Sequence, residues 1–310
     1  MSYNATNPPP GIDPDTWNKL LHIREGCYPH LVPGVRTDYG YRPTLAAGIV
    51  FCALFGIALI GHTIQIGRFR RWTSVLFAIG ATTEAIGWAG RTWSAKCPYN
   101  HDAFLMQITT LIIAPTFFAA GLYVLLGTLI TQLGRETSAL SPAMYAIVFC
   151  TCDVISLVVQ AVGGALASNE SGKIDGNTKP GTNIMVAGIA FQLATMTLFA
   201  GLVLDFLRRV RRRVLPRAVK LVLLALAVSF VMIYIRSIYR TVELAQGWTG
   251  YLIEREGFFI GLDAALMFVA VGVFLIFDPA SLLRRQPVPQ STDSAPSGDE
   301  GKASATRSSD

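Results

Sequence analysis

Residues 141–165, SPAMYAIVFCTCDVISLVVQAVGGA, decide the fold. The segment is apolar apart from a few small hydroxyl and thiol side chains, Asp153 and Gln160. An α-helix rises about 1.5 Å per residue, so roughly 20 such residues cross the hydrocarbon core of a bilayer. Asp153 and Gln160 are two turns apart and fall on nearly the same helix face. A carboxylate at mid-depth costs on the order of 2.5–3.5 kcal/mol on insertion scales. That face must therefore turn toward protein or a wet cavity, which implies a helical bundle with a polar interior.

Six further apolar stretches flank this one, at about 44–66, 73–93, 104–130, 183–206, 218–240 and 257–277, which makes 141–165 the fourth of seven. In the third, Ala114-Pro115 removes one amide from the hydrogen-bond ladder, a place for a kink. Residues 166–182, ASNESGKIDGNTKPGTN, are Gly-rich and polar and read as a loop. The expected fold is all-α, a seven-span transmembrane bundle over 44–278. A polar, proline-rich segment, 1–43, precedes it on the extracellular side. A tail, 279–310, follows on the cytoplasmic side and is too polar to pack, so disorder is expected there.

The composition agrees with a membrane chain: 52% of residues are hydrophobic and 15% are charged, well below the quarter expected of a soluble domain. The net charge of +6 does not point to nucleic acid, because the arginines sit beside the apolar segments. Lys and Arg number three, one, six and four in 67–72, 131–141, 207–217 and beyond 278, against one, two and two in 94–103, 166–182 and 240–256. The positive-inside rule then places the N-terminus outside and the C-terminus in the cytoplasm. The start, MSYNATNPPPGIDPDTW, lacks the charged leader and apolar core of a cleavable signal, so the first span must initiate translocation. Two acceptor patterns, at Asn4 and Asn169, fall on the expected exterior and would carry glycans. Of the five cysteines, only Cys27 and Cys97 lie outside the spans, so a disulfide would join those two. Tyr39, Tyr41 and Trp72 read as interface anchors.

The ionisable residues within the spans are the candidate site. Glu84 and Arg91 share a face of the second span. Arg236, Arg240 and Glu243 form one stripe on the sixth. Glu256 stands at the mouth of the seventh, with Asp263 two turns further in. Glu84, Asp153 and Asp263 are thus three acids for which Arg91, Arg236 and Arg240 are the counter-charges. Gln160 and Gln192 add amides suited to bonds between helices. Two roles are open for the set: pairs that keep helices together, or a pathway whose charges meet a head group or carry protons.

Enzyme signatures are lacking. There is no phosphate-binding Gly-x-x-x-x-Gly-Lys-Ser/Thr loop, no Gly-x-Ser-x-Gly, and only one histidine, His62, within a span. A non-enzyme with no cofactor, no metal site and no ATP hydrolysis of its own is expected.

Several short motifs then converge. They are Tyr41-x-Pro43, Glu84-x-x-Gly87-x-x-x-Arg91, Ala114-Pro115-x-x-Phe118-x-Ala120-x-x-Tyr123, and Asp153 with Gln160-x-x-Gly163-Gly164. To these add Gly188-x-x-x-Gln192, Arg236-x-x-Tyr239-Arg240-x-x-Glu243, and Glu256 with Asp263. In this order, over about 40–280, they resemble the fungal lipid-translocating exporter (RTA-like) family, which includes sphingoid long-chain-base exporters and proteins of toxic-sterol resistance. Trp88, Thr128 and Asp278 depart from the tyrosine, basic residue and histidine usual at those places. The resemblance implies a multi-pass protein of the plasma membrane or another fungal membrane. It would export or translocate amphiphilic lipids or lipid-like toxic compounds, with membrane lipids and an amphiphilic small molecule as partners. The alternative is a seven-span receptor-like sensor or regulator of membrane lipid stress, docking a cytoplasmic partner at 208–217 or at the tail.

Overall fold

The computed structural model describes residues 26–31, 37–170, 177–211, 213–247 and 250–284. Among these there is no strand. Seven long helices follow one another: α1 Leu45–Phe69, α2 Trp72–Lys96, α3 His101–Leu133, α4 Pro142–Glu170, α5 Lys179–Val210, α6 Arg217–Ala245 and α7. The last of these starts as Glu256–Phe259, passes through a wider π-helical turn at Ile260–Ala265 and continues as Leu266–Ile276. A short α8, Pro279–Arg284, follows, so the segment expected to begin a structureless tail begins with a helix. Asp278 caps it, accepting from Ala280 N at 3.0 Å and Ser281 N at 3.2 Å.

Six of the long helices are apolar enough as well as long enough to cross a membrane. The exception is α2, and the seven expected spans become six on that criterion. Its length equals that of α1, but about half of its residues are buried, Glu84 and Arg91 among them. A helix enclosed by protein can carry charge and small residues that a lipid-facing helix cannot, which lowers its hydropathy. Pro115 lies inside a continuous α3, and the loop expected from 166 gives up its ends to α4 and α5.

Consecutive helices pack side by side, with α1–α2, α2–α3 and α4–α5 the most extensive contacts. Contacts of α3 with α6 and α7, and of α1 with α7, close the ring. The turn from α1 to α2 is tight because Arg70 adopts a left-handed conformation (φ 50°), its amide bonding Ile66 O at 2.8 Å. The α4–α5 contact depends on missing side chains. A Cβ on Gly163 would stand 2.7 Å from Gly181 O, and one on Gly181 would stand 2.7 Å from Gly163 O. These backbones touch, as small residues permit between membrane helices. Elsewhere the core is aromatic, with Phe77 stacked on Phe274 at 4.6 Å and Phe199 against Tyr123 and Phe149. The apolar side chains left exposed, such as Ile57, Ile60, Ile64, Ile147 and Val158, lie on the outward faces of α1 and α4.

Candidate functional site

The polar interior separates into three groups. The first closes the end of the bundle that carries the N-terminal segment. Cys27 and Cys97 are joined in a disulfide, with Cα atoms 4.7 Å apart. Residues 37–44 lie as a strap over α2 and α3. Arg42 Nε donates to Ala95 O at 3.0 Å, and the Tyr39 hydroxyl donates to Gln107 Oε1 at 2.7 Å while lying 3.0 Å from Ser94 Oγ. Arg91 is buried beneath the strap. Its guanidinium donates to Glu256 Oε1 on α7 at 2.8 Å, to the Tyr41 hydroxyl at 2.9 Å and to Gln107 Oε1 at 3.5 Å, and stands 4.6 Å from the Phe259 ring centroid. Glu256 also accepts from Thr44 N, at 2.8 Å, and from the Thr44 hydroxyl. Burial is the main influence raising the Tyr39 and Tyr41 hydroxyls above the ordinary phenol range, against the opposing pull of Arg91. Both therefore remain protonated. Tyr39 and Tyr41 are thus bonded into protein rather than serving as interface anchors.

The second group is deeper, between α6 and α7. Arg236 forms an ion pair with Asp263 and donates to Leu111 O of α3 at 2.6 Å. Arg240 donates to Glu243 Oε2 at 2.7 Å, and the Tyr239 hydroxyl donates to Glu243 Oε1 at 2.9 Å. The π turn carries Asp263, re-aiming it within α7. Glu84 is buried in the field of Arg236, Asp263 and Arg240, but its Oε1 has no hydrogen-bond partner among the described residues.

The third group lies around α4. Asp153 is 1% exposed and accepts one hydrogen bond, from the Tyr123 hydroxyl to Oδ2 at 3.1 Å. Its Oδ1 has no partner, and no cation stands within ion-pair distance among the described residues. This corrects the expectation that Arg91, Arg236 and Arg240 balance all three acids. The polar face of α4 turns toward α3 and α5, while the arginines of α2 and α6 turn toward α7 and α3. Nor does Gln160 reach Asp153. It donates to Ser156 Oγ at 2.7 Å and to Gln192 Oε1 at 3.1 Å, and Gln192 Nε2 lies 3.5 Å from Thr116 Oγ1. A cleft lined by Gln160, Gln192, Arg236, Ser237 and Arg240 joins the second and third groups. It offers about 20 Å³, room for one or two waters.

The remaining sequence candidates fall apart from this interior. Asn169 is exposed in the last turn of α4; Asn4 lies outside the described residues. Asp205 pairs with Arg209 at 2.9 Å on the surface, and Arg213 pairs with Glu136 at 2.9 Å. His62 is buried against Gln65 and the carbonyl of Val271. Sequence reasoning passed over Gln107, Ser94 and Thr44, which take part in five of the eight hydrogen bonds of the first group. The signal available for Gln107 was an amide inside an otherwise apolar run, FLMQITTLII.

The apolar outward faces and the charged, enclosed interior together define a multi-pass helical membrane protein. The chain belongs to the family described as RTA1 like protein, whose model matches residues 77–286. All ten charged and amide candidates, from Glu84 to Asp263, lie in that range. It is similar to the sphingoid long-chain base transporter RSB1 of Saccharomyces cerevisiae, 34% identical over 279 residues covering 77% of this chain and 72% of the relative. It is also similar to two other proteins of that yeast. Protein RTA1 is 28% identical, with 78% of this chain and 84% of the relative covered. Protoporphyrin uptake protein 1 is 28% identical, with 77% and 90% covered. No solved structure matches the chain.

Proposed function

We propose that this protein moves an amphiphile with a cationic head, of the sphingoid long-chain-base class, across a fungal membrane. Asp153 is the group that meets the head or carries a proton in exchange. The observation that carries the proposal is the contrast in pairing. The buried arginines each face an acid, whereas Asp153, among the described residues, has a phenol as its one donor and no counter-charge. An uncompensated acid at mid-helix is expensive, and in membrane proteins such residues mark substrate or proton routes. The name of the relative at 34% identity agrees with this substrate class.

In this reading α2 also crosses, giving seven spans over 44–278. Supporting it, α2 runs antiparallel to α1 at equal length, and its far end meets the strap that precedes α1. The strap end, with the disulfide, is the exterior, where Asn4 and Asn169 accept glycans. The arginine-rich end and the tail are cytoplasmic, and transport draws on a gradient or on downhill lipid movement rather than on ATP bound by this chain. The narrowness of the interior cleft favours one second reading, a sensor or regulator of lipid stress that docks a cytoplasmic partner at 208–217 or the tail.

The test is efflux of a labelled long-chain base from vesicles reconstituted with purified protein, beside a labelled phospholipid, at two external pH values. Asp153→Asn should lower efflux per folded molecule about tenfold or more, the equivalent of one lost charge contact of about 1.4 kcal/mol. Leu157→Ala, on the same helix, should act only through protein abundance. Undiminished efflux in Asp153→Asn would reject the role of Asp153 and favour the sensor.

A further inference from the structure

At the arginine-rich end, opposite the strap, a second cleft of about 110 Å³ opens between the start of α2, the last turns of α3 and α8. It is lined by Arg71, Thr73 and Thr128 and walled by Val124, Leu125 and Leu283. Arg71 is exposed and has no acid partner among the described residues, and neither have Arg68 and Arg70 just before it. Arg71 provides no side-chain cap for α2, and the first turn of α2 carries no acid. The free amides and positive dipole end of a 25-residue helix therefore coincide with three uncompensated cations. The independent observation is Thr73. It is 8% exposed, it lines the cleft, and its hydroxyl has no hydrogen-bond partner among the described residues. Beside the opening, the indole of Trp72 is 76% exposed.

We infer that this cleft binds the phosphate of an anionic phospholipid from the adjoining leaflet. Several waters' volume accommodates a phosphate group but not a whole lipid. Arg71 and the first amides of α2 supply charge and donors, and the Thr73 hydroxyl supplies a third donor from inside. Glycerol and acyl chains then run outward over Trp72 and the apolar wall. An inorganic phosphate would use the polar groups equally well but gain nothing from the wall, so the wall favours the lipid. The site is separate from the charged interior and does not depend on the transport reading.

The experiment is native mass spectrometry of the full-length protein in detergent, titrated with phosphatidic acid, with phosphatidylcholine, or with phosphatidic acid in competition with inorganic phosphate. Phosphatidic acid adducts should exceed those of phosphatidylcholine. Arg71→Gln should weaken them about tenfold, one charge-assisted hydrogen bond to the phosphate being lost, while Arg71→Lys keeps most of the binding. Thr73→Val should weaken them as well. Arg208→Gln removes an equal charge from the same end of the bundle, away from the cleft, where it is screened by the buffer, and should change adducts less than about twofold. An equal loss in Arg208→Gln, parental binding in Thr73→Val, or equal adducts with phosphatidylcholine would overturn the site. Displacement of phosphatidic acid by an equal concentration of inorganic phosphate would overturn the lipid as its ligand.

Discussion

The α6–α7 seam and the α4–α5 seam lie in one bundle and solve the same problem in opposite ways. Along α6–α7 the charge is high and compensated: Arg236 faces Asp263 and Arg240 faces Glu243. Along α4–α5 the helices meet through backbone at Gly163 and Gly181, with amides from Gln160 and Gln192, and the acid Asp153 has no cation beside it among the described residues. Paired charges in a low-dielectric interior mainly prevent the penalty that either member would suffer alone. A lone acid gains no such protection. On the proposed function, the first seam is architecture and the second is where the substrate or proton is met.

The strongest way to break this comparison is Arg236→Met. It strands Asp263 and should destabilise the protein by about 3–5 kcal/mol, seen as a lower midpoint of thermal unfolding in detergent. Adding Asp263→Leu should recover much of the loss. If the single variant unfolds like the parent, the α6–α7 charges are not structural.

A smaller effect is expected on the other seam. Gly163→Ala places a methyl against the backbone of α5 and should cost about 1–3 kcal/mol. Gly164→Ala, next in sequence, meets only Met185 Sδ at 3.9 Å and should be tolerated. Equal effects of the two would mean that the helices do not approach at Gly163. Asp153→Asn, in contrast to Arg236→Met, should alter unfolding by no more than about 1 kcal/mol while transport falls. A stability loss as large as that of Arg236→Met would make Asp153 structural. Tyr123→Phe is the mildest change. Removing one hydrogen bond should cost about 0.5–1.5 kcal/mol, and the loss should vanish in the Asp153→Leu/Tyr123→Phe pair, where no acceptor is left, if that single bond is what couples them.

Six of the long helices were readable from sequence because hydrocarbon demands long apolar runs, whereas the segment read at 73–93 is a helix too but not apolar enough to meet that criterion. The faces were readable too. Asp153 and Gln160 are both buried, as are Arg236, Arg240 and Glu243. What periodicity along one helix cannot contain is which neighbour that face meets. Hence the sequence groups Asp153 with arginines that it does not touch, and assigns Arg91 to the three deeper acids rather than to Glu256, 165 residues away, with which it pairs. The strap escaped notice for a different reason. Tyr39 and Tyr41 carry the amphipathic signature of interface residues, and only contact with Gln107 and Arg91 reveals them as donors and acceptors. The π turn at Ile260–Ala265 had no warning in its sequence, IGLDAA.

Glu256 has a consequence for the order in which the chain is made. It holds both Thr44, at the threshold of the first helix, and Arg91 in the second, yet it is synthesised 212 residues after Thr44. Until the last helix arrives, Arg91 and Arg236 each lack their acid. A nascent or truncated protein ending at Gly247 would thus display two cations without their acids. Those cations distinguish an unfinished chain from a finished one. Fragments stopped before Glu256 should accordingly be retained and degraded in cells, whereas supplying residues 250–310 as a separate chain should lengthen their half-life.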